Sequence, residues 1–173
     1  MEHYYRIIDK YYPEGTPLRD IYLRHATDVA ALAEELRARC MPDLDPERVR
    51  AAAMMHDIGI FLTDAPAIEC RGTAPYISHG PLGAQLLRSE HAPEWMARVA
   101  ERHTGVGIGD MVPETPLEKL VCYADKFYSK SGSMKRKSLE EVERSMARFG
   151  SDNLEAFRQL HKLFANQSTP SSC

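Results

Sequence analysis

Four helix-like stretches of this chain carry a histidine or an aspartate in a row where apolar residues belong. Ile21, His25, Val29, Leu32 and Leu36 fall on one face at three and four spacing, and Val49, Ala52, Ala53 and His56 do so again. Met96, Val99, Ala100 and His103 repeat the pattern, and Leu117, Val121, Ala124, Asp125 and Tyr128 repeat it with a carboxylate. Burying a polar group costs free energy unless something satisfies it. One buried histidine is an ordinary core residue, but three of them with an ionised aspartate call for a shared cation. Neutral imidazoles and carboxylates are the usual ligands of a divalent transition metal, and helical bundles build such sites from inward-facing residues of different helices. Asp57, next to His56 at the predicted end of its helix, is in reach of the same centre.

A metal is also the only source of chemistry visible in the sequence. No Gly-x-Ser-x-Gly or similar nucleophile motif occurs. Cys40, Cys70, Cys122 and Cys173 form no CxxC pair and read as cytosolic thiols, neither zinc knuckle nor disulfide framework. The GVGIG run at 105 to 109 follows a helix rather than a strand, so it is no dinucleotide fingerprint.

The elements that must position these residues are helices. Apolar residues recur with helical period through most of the chain and alternating runs are nearly absent, which predicts an all-α fold, a compact multi-helix bundle. Helices are expected at 3 to 11, 18 to 39, 46 to 58, 81 to 90, 94 to 103, 116 to 129, 138 to 148 and 152 to 165. Asp45-Pro46 and Thr115-Pro116 supply a capping side chain followed by a proline, Gly80-Pro81 a similar proline, and Gly150 a stop. The 173 residues, 43% hydrophobic, suit one domain over 1 to 165, with NQSTPSSC at 166 to 173 expected as a flexible tail.

Twenty-two Lys and Arg against 25 Asp and Glu give a net charge of -3, so no global basic field is available to hold nucleic acid or an anionic membrane. The N-terminus is polar and aromatic, and no apolar run approaches the length a bilayer requires. These features favour a cytoplasmic protein acting on a small molecule. Nothing in the helical surface gives a dimer signal.

The segment AAAMMHDIGIF, with His25 upstream and YADKF downstream, resembles the HD superfamily of metal-dependent phosphohydrolases over about residues 20 to 130. ISHGPLGAQLL and ERHTGVG are similar to the two further histidine motifs of its dinuclear branches, and contribute His79 and His103. The overall pattern looks closer to bacterial diadenosine tetraphosphate hydrolases than to cyclic-dinucleotide phosphodiesterases, whose GYP signature is absent. The resemblance implies two divalent ions, iron or manganese, with Ni, Co, Zn or Mg as alternatives. It implies ligands His25, His56, Asp57 and Asp125, with Asp57 bridging and His79 and His103 completing the second ion's site. The expected substrate is a nucleotide-like phosphoester or phosphoanhydride, hydrolysed by metal-activated hydroxide. Without the resemblance, His79 reads as a helix-entry residue and His103 as an imidazole favoured by a helix C-terminus.

Many members carry a lysine directly after HDIG; Ile60 stands there in this chain, and Lys126, beside Asp125, is the expected substitute in catalysis and substrate binding. The stretch SKSGSMKRKS gathers Lys130, Lys135, Arg136 and Lys137, and Lys130, Lys135 and Arg136 are expected to reach substrate phosphates from a mobile loop, the alternative being a solvated loop. Two other activities compete with hydrolysis: a non-catalytic nucleotide-binding or signalling module, and a di-iron oxygenase of the wider superfamily.

Overall fold

A computed structural model describes residues 2–106 and 109–165. The tail expected at 166–173, part of the GVGIG run and the side chain of His3 lie outside the described residues. The described chain is helical: α1 Glu2–Tyr11, α2 Pro17–Cys40, α3 Pro46–Met55, α4 His79–Ser89, α5 Glu94–Arg102, α6 Pro116–Asp125, α7 Leu139–Ala147 and α8 Ser151–Ala165. Helix starts follow the local chemistry. Thr16 and Asp45 accept hydrogen bonds from the backbone N–H groups of Arg19 and Glu47 ahead of Pro17 and Pro46. Thr115 with Glu118, and Ser138 with Glu141, form reciprocal capping boxes on α6 and α7. Gly150, with φ 110°, separates α7 from α8.

α2 packs against α3 and α6, α4 against α5, and α5 against α6. The expected apolar stripes make this core: Val29, Leu32, Leu36, Val49, Ala52, Met96, Val99, Val121 and Ala124 are all buried in one cluster. α7 packs on α8, and α8 rests on α6 and α2.

Three boundaries differ from expectation in ways that matter. α3 stops at Met55, so His56 and Asp57 lie where the helix unwinds instead of inside it. α6 stops at Asp125, three residues short of the apolar row that includes Tyr128. α4 begins at His79, so Gly80 and Pro81 occupy its first turn. Between α3 and α4 the chain also forms a small element the periodicity did not predict, antiparallel strands β1 Asp64–Ala65 and β2 Cys70–Arg71. Two-residue strands are too short to show alternation.

Candidate metal centre

The centre is assembled at helix ends. Two buried tyrosines fix the end of α3: Tyr22 Oη donates to the Met54 carbonyl at 2.7 Å and Tyr12 Oη to the Ile58 carbonyl at 2.9 Å, their rings stacked 4.2 Å apart. They satisfy carbonyls that the broken helix leaves without partners. Gly59 then lets the turn meet α4 backbone to backbone. A Cβ on Gly59 would lie 2.3 Å from the His79 carbonyl oxygen and 2.5 Å from Gly83 N, so only glycine fits here. The Gly of HDIG is thus the contact that brings Asp57 to His79.

His25 comes from the middle of α2, His56 and Asp57 from the α3 exit, His79 from the start of α4, His103 from the end of α5 and Asp125 from the end of α6. Five of the six are buried, and the Asp125 side chain is 13% exposed. His25 Nε2 lies 3.0 Å from Asp125 Oδ1 and 3.1 Å from Asp57 Oδ2, while His56 Nε2 lies 3.2 Å from Asp57 Oδ2 and 3.5 Å from Asp125 Oδ1. A second group meets the other Asp57 oxygen: His79 Nε2 and His103 Nε2 are each 3.3 Å from Oδ1 and 3.0 Å from one another. Atoms bound to one ion at about 2.1 Å stand about 3.0 Å apart at right angles and about 3.4 Å apart at the tetrahedral angle. These distances, 3.0 to 3.5 Å, are close to that spacing in both groups.

Protonation makes the fit sharper. His56, His79 and His103 each turn Nδ1 to the carbonyl three residues back, at 2.6, 2.5 and 2.7 Å. An Nδ1–H donated to a carbonyl leaves the Nε2 lone pair facing the centre, the arrangement that orients a histidine for a metal. Both Asp57 oxygens and His56 Nε2 are buried without a hydrogen bond of proper geometry. Such a collection of acceptors fits divalent cations.

The surrounding charges agree. Burial alone would raise the Asp57 carboxyl, but His56, Lys130, His103 and His25 hold it well below the usual carboxylate range. Asp125 is likewise held low against burial, chiefly by Lys126 and Lys130. Burial depresses His56, yet Asp57 and Asp125 carry it up to about 9, so without a cation its Nε2 holds a second proton, which a bound divalent ion would displace. His103 goes the other way, to about 3, because burial and the neighbouring His56 and His79 outweigh Asp57.

Of the four expected cationic residues, two reach the centre. Lys130 Nζ is 2.6 Å from Asp57 Oδ2 and 6.0 Å from the centroid of the Tyr76 ring. Lys126 Nζ donates to the His103 carbonyl at 2.8 Å and to Asp125 Oδ2 at 3.1 Å, tying two of the grouped residues together. Lys135 is exposed on the loop and does not line the cleft beside Asp125. Arg136 turns away, toward Glu35 at 3.4 Å and over the Phe127 ring. Sequence reasoning missed Tyr12, Tyr22 and Tyr76, which look like ordinary core aromatics in the sequence. His161, half-buried, is bonded through Nδ1 to Tyr123 Oη at 2.7 Å, away from the centre.

A family model described as HD domain matches residues 22–129, a span that contains all six grouped residues. The chain belongs to the HD-domain family. Among curated proteins this HD domain is similar to two named tRNA (cytidine(56)-2'-O)-methyltransferase. One, from Picrophilus torridus, is 34% identical over 64% of this chain and 32% of its own length. The other, from Thermoplasma volcanium, is 28% identical over 84% of this chain and 42% of its own length. An uncharacterized protein of Methanocaldococcus jannaschii is 35% identical over 48% of the chain and 50% of its own length. The chain therefore covers between about a third and a half of the length of the relatives it matches. No solved structure matches it.

Proposed function

We propose that this HD domain is a metal-dependent phosphohydrolase that cleaves a phosphoester or phosphoanhydride bond of a nucleotide-like substrate. The observation that carries the reading is the division of Asp57: Oδ2 faces His25 and His56, and Oδ1 faces His79 and His103. In this reading His25, His56, Asp57 and Asp125 hold one ion, and Asp57, His79 and His103 hold a second, iron or manganese. Bound there, the ions supply a hydroxide near neutral pH and neutralise charge on the phosphoryl oxygens. The chain's own residues do the positioning. Lys126 steadies Asp125 and the His103 backbone, and Lys130, on the cleft side of Asp57, holds a phosphate oxygen through a charge-assisted hydrogen bond. A cleft of about 420 Å³ opens beside Asp125, lined by Lys126, Lys130 and Tyr76, a size suited to a small phosphorylated compound.

The tRNA methyltransferase names belong to proteins at least twice this chain's matched length. The HD domain carries the His and Asp groups, and we assign the hydrolase chemistry to it and methyl transfer to the part of those relatives that this chain does not match. Their names do favour a second reading, in which the phosphate attacked belongs to an RNA. Metal content per chain, measured alongside phosphate release from mononucleotides, dinucleoside polyphosphates, cyclic dinucleotides and short RNA ends, separates the two. Two ions per chain with turnover of a free nucleotide supports the first reading; turnover of RNA alone replaces it with the second. Absence of both metal and turnover after Mn or Fe(II) is added rejects both.

A further inference from the structure

The cleft beside Asp125 continues past the metal centre. Through Ser129, Ser131, Lys137 and Ser145 it shares its wall with a second concavity of about 630 Å³, which Lys135, Arg144 and Arg148 complete. Gly132 (φ 73°) and Met134 (φ 49°) turn the loop back so that its serines and lysine face α7. The cations here are unlike most of those around the bundle. Arg19, Arg37, Arg88, Arg98 and Arg158 are each locked to a carboxylate, whereas the exposed side chains of Lys135, Arg144 and Arg148 have no ion pair or hydrogen bond among the described residues. The carboxylate that lines the concavity, Glu141, is occupied in the capping box of α7, accepting from Ser138 N at 2.7 Å. A chain of net charge -3 thus keeps a hollow in which Lys135, Lys137, Arg144 and Arg148 outnumber the single carboxylate of Glu141, with hydroxyl donors, directly beside its catalytic cleft.

We infer that this hollow is a second anion subsite, which holds a phosphate group of the substrate other than the one attacked. The inference rests on the phosphohydrolase reading and narrows it: the substrate is a free nucleotide with two separated phosphate groups. Arginine forks and serine hydroxyls suit a terminal phosphate, with its three oxygens, through charge-assisted hydrogen bonds. A polynucleotide needs a longer basic track, since its affinity grows with each phosphate neutralised. The aromatic component of the ligand has its own surface: Tyr76, Tyr128 and Phe149 line the cleft, and Phe149 at the C-terminal end of α7 is 70% exposed, a face on which a base can stack.

The test is a binding comparison that does not require turnover. Calorimetry on the Mn-loaded full chain measures adenosine 5'-monophosphate, adenosine 3',5'-bisphosphate and a single-stranded RNA. The bisphosphate should bind about tenfold or more tightly than the monophosphate, and Arg144→Glu combined with Arg148→Glu should bring that ratio near one. Both positions are exposed, so circular dichroism and metal content should match wild type. Equal binding of the two nucleotides by wild type, or a ratio that survives the double substitution, overturns the subsite even if the monophosphate is hydrolysed. Tight RNA binding that the double substitution abolishes, with no preference for the bisphosphate, overturns it in favour of an RNA-tracking surface. A preference lost on substitution in a chain that hydrolyses nothing upholds the subsite and rejects the phosphohydrolase reading.

Discussion

His79 Nε2 and His103 Nε2 stand 3.0 Å apart, and each ring already gives its Nδ1 proton to a backbone carbonyl. Two lone pairs so placed repel one another and the nearby Asp57 Oδ1 unless a cation lies among them. A hydrogen bond between the two rings would require a proton on one Nε2 and a second charge in a buried site. His103, pushed down to about 3 by burial and its imidazole neighbours, resists carrying it.

If the centre holds two ions as proposed, His79→Ala and His103→Ala should each lower the metal content to one ion per chain, leaving the group of His25, His56, Asp57 and Asp125 loaded. Metal analysis after desalting checks this. Two ions retained in both variants would remove these histidines from the ligand set.

Gly59→Ala tests the joint between the two halves of the centre. Its methyl group would meet backbone atoms of His79 and Gly83, which cannot swing aside as a side chain can. A cost of about 3 kcal/mol is expected, a fall in Tm of about 6–12 °C, together with loss of metal. Thermal melts with and without Mn measure both. An unchanged Tm would mean that the turn can withdraw from α4 freely.

Much of this was legible before the structure. The stripes that carry His25, His56 and His103 are buried as their spacing required, apart from the partly buried Ile21, because a helical period leaves little choice about which face enters the core. The all-α architecture and the capped starts of α3 and α6 follow from the same local rules. What the sequence hides is direction. Lys130, Lys135 and Arg136 sit in one basic run, yet Lys130 points inward to Asp57 and Arg136 outward to Glu35, since a loop has no period from which to read a face. The tyrosine supports of the α3 exit are likewise set by contacts 32 and 46 residues away in sequence.

Lys126 is the residue for which two roles differ in what they predict. Its ammonium joins Asp125 Oδ2 to the His103 carbonyl, and its side chain is only 10% exposed. Lys126→Met should weaken metal binding about 10–100-fold, the usual cost of losing a group that orients a ligand. Competition with a metallochromic chelator reads that change. Metal affinity kept at the wild-type value, with a raised KM, would instead make Lys126 a substrate contact.

The acid limb of stability should be set partly by Glu118, far from the metal. Its Oε2 accepts from the backbone N–H groups of Glu114 and Thr115 at 2.7 and 3.2 Å, and its Oε1 from Arg98 Nε at 2.8 Å. It thereby ties α5, which leads into His103, to the start of α6, which ends at Asp125. Burial opposes ionisation, but these donors and Arg98 win, and the Glu118 pKa falls below its ordinary 4.5. A group held lower in the folded chain than in the unfolded one binds fewer protons when folded, so its stabilisation is full above about pH 4.5 and is lost as pH falls through the folded value. Glu118→Gln keeps the side-chain oxygen and removes the charge. At pH 7 it should cost about 1–3 kcal/mol, and the difference from wild type should shrink as pH falls below about 4.5. Urea unfolding at pH 7, 5 and 3.5 measures it. A gap that is constant with pH would assign Glu118 to packing alone, and a gap that widens on acidification would reverse the sign of the linkage.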